Sequence, residues 1–195
     1  IRDVQFLQNL IKYLADSTGT ILSATNISKY LKSQKINKSI PAILSYLGYL
    51  NDAFFIFRVP RSDVKGKKIF EIGERIYFED FGIRNAINGY RTEDINKVIE
   101  NVIFHHLLCH GYTVYVGKLE DKEIDFVAEK NNEKVYIQAA YVLNTENVID
   151  REFGNLLKIP DQYPKYVVSM DDYKAENTYE GIKHLSLLDF LVSFV

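Results

Sequence analysis

The stretch EIDFVAEKNNEKVYIQAAYVL, residues 123–143, holds the residue types and spacing that come nearest to chemistry. It reads as two β-strands around the turn KNNEK, with Asp125 on the first and Gln138 and Ala140 on the second. An acid on one strand, facing an acid and a lysine two residues apart on the next, would hold a hard cation such as Mg²⁺. Such a set also readies water for attack on a phosphodiester. Here Gln138 offers one neutral carbonyl oxygen and Ala140 offers nothing. Glu129 and Lys134 flank the turn, too far along the hairpin to take their places. A second acid, Glu100, shares a helical stripe with Ile103, Phe104 and Leu107. An inward carboxylate is costly unless a cation or donor meets it, so Glu100 and Asp125 are the two residues from which a metal site would start. A Glu at the stripe's edge that reaches water explains Glu100 equally well. With one ligand charge and the lysine both missing, no catalysis and no bound metal are expected.

The elements that would position these residues fill 93–195. TEDINKVIENVIFHHLLCHGY reads as a long helix capped by Thr92 and ended at Gly111. Strands YTVYVGKL, EIDFVAE and KVYIQAAYVL follow, then a helix NTENVIDREFGNLLKI, strands KYVVSM and IKHLSL, and a last helix LDFLVSFV. Helix, three-strand meander, helix, strand predicts a mixed sheet flanked by helices. His106 and His110 lie one turn apart, near His105 and Cys109, but they share a face with Ile95, Ile99 and Val102. Packed histidines are expected there rather than a zinc site.

The region before it has a different character. IRDVQFLQNLIKYLA puts Phe6, Leu7, Leu10, Ile11 and Leu14 on one stripe. Ser23 precedes a second helix, and Ser39 with Pro41 opens a third, whose expected buried residues are Ile40, Ile43, Leu44 and Leu47. A strand AFFIFRVP, a basic loop RSDVKGKK and two short strands, IFEI and RIYFED, complete the order of a winged helix-turn-helix. The third helix would then be the recognition helix and residues 58–68 the wing. Lys29, Lys32, Lys35, Lys38, Arg58, Arg61, Lys65, Lys67 and Lys68 are the candidate DNA-phosphate contacts, with a solvated lysine face as the plain alternative. The third helix presents Ser45, Tyr46 and Tyr49 but no Arg, Asn or Gln in its first turns, so base-specific readout is not expected. The expected division is a winged helix-turn-helix module over 1–80, a linker over 81–92 and a nuclease-like domain over 93–195.

Charge follows this division. Residues 1–68 hold eleven Lys or Arg against four Asp, a net of +7, and the remainder carries −9, within a chain of 195 residues and net charge −2. Any polyanion would meet the first module, and the acidic remainder suits a protein partner better. No run of about 18 apolar residues could form a membrane-spanning helix. The one cysteine excludes an internal disulfide and fits a reducing, cytoplasmic setting. No GxxxxGK[ST] phosphate loop occurs, so this stretch is not itself a P-loop ATPase. It opens at Ile1 without a methionine or signal-peptide pattern, as a piece of a longer chain would.

The segments YFEDFGIRNAI, IENVIFHHLLCHGYTVYVGKLEDKEIDFVAEKNNEKVYIQAAYVL and FGNLLKIPDQYPKYVVSMDD…GIKHLSLLDFL resemble the C-terminal region of prokaryotic AAA-type P-loop ATPases. That resemblance implies a winged helix followed by a restriction-endonuclease-like domain of unassigned function, with the ATPase module, and its ATP and Mg²⁺, elsewhere. It places Glu100 and Asp125 on the family's helix glutamate and strand aspartate. Gln138 and Ala140 fall where many members keep a glutamate and a lysine, so this site is degenerate. The expected function is a non-catalytic module that positions DNA or a protein partner for the ATPase. The alternatives are a metal-dependent nuclease using Glu100, Asp125 and Gln138, and a protein-interaction domain.

Overall fold

The computed structural model describes residues 3–64, 69–171 and 178–194. The architecture is mixed α/β, with helices and both parallel and antiparallel strand pairings, and it divides into two compact units. The first comprises 1–60 and 71–92; the second comprises 61–70 and 93–195.

In the first unit, helices start where a short side chain can accept an N–H of the first turn. Asp3 caps α1 (Val4–Asp16), Ser23 caps α2 (Ala24–Ser33), and Ser39 caps α3 (Ile40–Asp52). The short strand β1 (Ile21–Leu22) pairs antiparallel with β3 (Ile69–Phe78), which neighbours β2 (Ile56–Asp63). The core joins Phe6, Leu10 and Leu14 of α1 to Ile27 and Leu31 of α2, Ile43, Leu47 and Leu50 of α3, and Ile76 and Phe78 of β3. Ile40 and Leu44, expected inside, are exposed instead: Ile40 opens the helix, and Leu44 lies about 100° round from Ile43, at the edge of the buried stripe of α3. The stretch 81–92, read as a linker, contains α4 (Phe81–Asn88). Buried Arg84 of α4 donates from Nε to the Ala15 carbonyl at the end of α1, 2.8 Å away.

Two further expectations are corrected. The predicted strands IFEI and RIYFED form the single strand β3, which passes through Gly73 at φ 90°. The basic loop RSDVKGKK, expected to start at Arg61, starts later, because β2 continues to Asp63. Residues 61–63 pair in parallel with Val116–Lys118, within the second unit. Lys65, Lys67 and Lys68 lie outside the described residues.

In the second unit, a 3-10 turn (Thr92–Asp94) leads into α5 (Ile95–Cys109). The residue at the start of α5 is Asp94 rather than Thr92, and its side chain makes no capping bond; instead Lys97 sits 2.9 Å from it. Gly111, at φ 79°, turns the chain out of the helix as expected. Strands β4 (Thr113–Leu119), β5 (Lys122–Lys130) and β6 (Glu133–Ala139) form an antiparallel meander, and the end of β2 flanks β4. Helix α6 (Glu146–Leu157), capped by Thr145, returns the chain to β7 (Lys165–Ser169), parallel to β6. Strand β9 (Ile182–Ser186) lies parallel to β7 and carries the short, unforeseen β8 (Thr178–Tyr179) on its outer edge. Helix α7 (Leu187–Ser193) follows. Leu119, Ile124, Val127 and Tyr136 of the meander pack with Phe153, Leu156 and Ile159 in and beyond α6.

The meander carries a register shift between Tyr115 and Gly117. A Cβ at Gly117 would stand 2.8 Å from Val127 Cγ2, 2.9 Å from Ile124 Cβ and 3.1 Å from Val64 Cγ2. Those neighbours belong to the packed core and have little room to retreat. Gly117→Ala should therefore destabilise the protein by about 1–3 kcal/mol. Urea unfolding followed by circular dichroism checks this; an unchanged midpoint would show that the core yields at no cost.

Candidate functional site

The residues singled out on the hairpin come together in the second unit. Beside the last ladder pair, Phe126–Ile137, buried Asp125 of β5 meets buried Gln138 of β6. Gln138 Oε1 accepts the Asp125 backbone N–H at 3.3 Å, and Asp125 Oδ2 accepts the Ala139 N–H at 3.0 Å. Each side chain thus satisfies the opposite strand's backbone just where the ladder ends. Buried Ala140 continues the chain and donates its N–H to the Val168 carbonyl at 2.9 Å.

A cleft of about 440 Å³ opens over this point. Glu100 and Asn96 of α5 line it, as do Asp125, Gln138, Ala140 and the segment that leaves β6. Helix α6 adds Arg151 and Glu152. Glu100, Asp125, Gln138 and Ala140 therefore line one cleft. No group of three or more His, Cys, Asp or Glu among the described residues is arranged to hold a metal ion. Glu129 and Lys134 pair with each other at 2.9 Å by the hairpin turn and line a separate cleft of about 380 Å³. They supply nothing to this one.

Glu152 was missed by sequence reasoning, although its signal was present. Ile149, Glu152, Phe153 and Leu156 follow helical spacing, the argument already applied to Glu100. Glu152 is buried, and Arg151, itself exposed, donates to its Oε1 from Nε at 2.8 Å and from Nη2 at 2.5 Å. Burial raises the Glu152 pKa above the ordinary carboxylate range, and the Asp125 charge adds to the rise. Hydrogen bonds from Arg151 and Gln138 and the Arg151 charge oppose it without cancelling it.

A second polar group is enclosed between β7 and β9. The Ser169 hydroxyl lies 2.9 Å from His184 Nε2 and 3.1 Å from Asp171 Oδ2, and its oxygen accepts the Asp171 N–H at 3.1 Å. A hydroxyl has one proton, so the consistent arrangement is His184 Nε2–H to Ser169 Oγ and Ser169 O–H to Asp171. Burial lowers the His184 pKa, against the pull of Asp171. Ser169 is wholly enclosed, so this is a structural network and not a nucleophile with access to substrate. On α5, His106 Nε2 bonds the Phe194 carbonyl at 2.7 Å and His110 Nδ1 bonds the His106 carbonyl at 2.8 Å. The two rings pack against each other, and His106 also meets Phe190.

Six of the candidate phosphate contacts lie among the described residues. Lys29, Lys32 and Lys35 are exposed. Lys38 pairs with Asp3 at 2.6 Å and lies over the Phe6 ring. Arg58 pairs with Glu74 at 2.9 Å, and Arg61 with Glu123 at 3.3 Å. Carboxylates thus offset three of the expected cations.

Comparison with known proteins places these features without assigning a function. Residues 1–94 match a domain of unknown function, DUF8612, and the match ends at the border between the two units. An uncharacterized protein of Haemophilus influenzae is 33% identical over 192 residues, which is 98% of this chain and 47% of that protein. The chain thus spans about half the length of that relative. The crystal structure of protein VC1899 from Vibrio cholerae aligns over 97% of this chain and 55% of its own, at 11% identity and a TM-score of 0.28. No helix among the described residues is long and apolar enough to cross a membrane.

The raised pKa of Glu152 has a definite consequence for stability. The folded state holds this proton more tightly than the unfolded state does. The associated stabilisation is present below the unfolded value of about 4.5 and is lost as pH rises through the raised folded value. Glu152→Gln should remove that loss, so thermal midpoints of variant and parent should diverge upward in the variant from pH 4.5 to neutrality. Parallel pH profiles would show that Glu152 ionises in the fold without penalty.

Proposed function

We propose that this chain is a non-catalytic positioning module that holds a partner for the P-loop ATPase module implied by the family resemblance. In this reading the first unit is a modified winged helix. The second is a restriction-endonuclease-like domain that keeps its fold and has lost its cleavage chemistry. The observation that carries it is the state of the two candidate ligand oxygens. Asp125 Oδ2 and Gln138 Oε1 each already accept a backbone N–H at the end of the β5–β6 ladder. A cation would have to compete with both bonds for one carboxylate and one neutral amide, a poor set for Mg²⁺. Among the described residues that line the cleft there is no lysine, and Arg151 is paired with Glu152.

The nuclease alternative keeps one supporting observation, the convergence of Glu100, Asp125 and Gln138 on one cleft. DNA as the positioned partner is weakened by the pairing of Lys38, Arg58 and Arg61 with carboxylates, which leaves a protein as the better candidate. Supercoiled plasmid incubated with the protein and Mg²⁺ or Mn²⁺ should remain intact, and Asp125→Ala should change nothing. Nicking that disappears in Asp125→Ala would replace this reading with the nuclease.

A further inference from the structure

The cleft beside the turn of the β5–β6 hairpin has no part in the function proposed above. It measures about 380 Å³, within the range of small-molecule sites. Among the described residues that line it, every side chain carries a hydrogen-bonding group and none is aliphatic. Its flat apolar surface therefore comes from two rings, those of Tyr115 on β4 and Tyr163 in the segment between α6 and β7.

The fold sets these parts in place. Tyr115 stands at the register shift of β4, the kind of break in a ladder that re-aims a side chain. The Tyr163 N–H donates to Asp161 Oδ1 at 3.2 Å. Asp161 is held in turn: its Oδ2 accepts the Tyr136 hydroxyl and its carbonyl accepts Lys165 Nζ, each at 2.5 Å. Asn131 and Asn132, at φ 52° and 66°, form the tight turn between the paired residues Lys130 and Glu133 and add two amides to the lining. A site that is already ordered binds a small ligand at lower entropic cost.

The charges of the cleft are largely matched among themselves. Asp63, Glu129 and Glu133 stand against Lys130 and Lys134, a net of −1. Lys134, whose side chain is 11% exposed, lies 2.9 Å from Glu129 Oε1 and 6.0 Å over the Tyr163 ring. Lys130 lies 5.2 Å over the Tyr112 ring. An anionic ligand would meet an excess of acids and two lysines already engaged, and a cation would compete with Lys134 for Glu129. A wholly apolar ligand would strand the polar lining. Neighbouring hydroxyls are different, because each both donates and accepts. Lys134 and Glu129 set a donor and an acceptor side by side, next to a ring.

We propose that this cleft binds a neutral carbohydrate. A sugar ring rests against Tyr163, and two neighbouring hydroxyls are shared between Lys134 and Glu129. The C–H face of the sugar meets the tyrosines, and its hydroxyl edge meets the polar lining. The site is separate from the cleft at Asp125, so the failure of either reading leaves the other standing.

The intact chain, labelled at exposed Cys109, is applied to an array of neutral and acidic glycans. The strongest neutral binder is then titrated by calorimetry. Neutral glycans should bind, with little dependence on salt. Tyr163→Ala should lower the affinity about tenfold, whereas Tyr163→Phe, which keeps the ring, should retain most of it. Lys134→Met should weaken binding as well, and thermal midpoints matching the parent would show that the variants fold. In the parent, the backbone amide NMR shifts that move should centre on residues 129–134 and Tyr163, a readout that needs no variant. No binding to any neutral glycan overturns the proposal, as do shifts confined to other segments or indifference to both Tyr163→Ala and Lys134→Met. A preference for acidic glycans that added salt abolishes makes this an anion site and overturns it too.

Discussion

A carboxylate in the middle of a sheet has to find donors, and the cleft of the second unit is organised by how Asp125 finds them. It takes the Ala139 N–H, while Gln138 takes the Asp125 N–H in return. The exchange closes the ladder at the point where β6 gives way to the irregular segment that forms the cleft wall. It fixes where Ala140 leaves the sheet and brings the hairpin into contact with α6. Buried groups satisfied by backbone in this way hold the chain in one register, since a slip of one residue would strand both side chains.

That arrangement also accounts for the polarity of the cleft. Glu152 enters from α6 toward the Asp125 carboxylate, and neighbouring burial makes its charge expensive. Arg151 reaches back along the surface to offset it. One exposed guanidinium and one amide thus offset part of the negative charge that Glu100, Asp125 and Glu152 bring to the cleft.

Much of this was legible from the order of residues, and the exceptions share a cause. The caps at Ser23 and Ser39, the α1 stripe and the β5–β6 hairpin depend on neighbours a few residues away. Residues 61–63 did not read as a strand, because their partner strand lies more than fifty positions further on, at Val116–Lys118. Ile40 and Leu44 misled through composition: their type says inside, whereas Ile40 sits at the exposed start of α3 and Leu44 at the edge of its buried stripe. Glu100 and Asp125 were found because an acid among apolar residues draws attention. Glu152 carried the same mark but sat beside Arg151, in a segment of mixed polarity where a charge looks ordinary.

The course of the chain between the units has a practical meaning. Residues 61–70 belong with the second unit, although they come before β3 and α4 of the first. A cut near residue 92, which sequence alone would recommend as a clean border, would strip β4 of the neighbour it has in Arg61–Asp63. The separated piece would carry a raw β-strand margin open to pairing with other chains. The two halves of this sequence are thus not two portable parts. The chain passes between the units at 60–61, 70–71 and 92–93, so a piece that starts near residue 92 leaves behind a strand segment of its own unit.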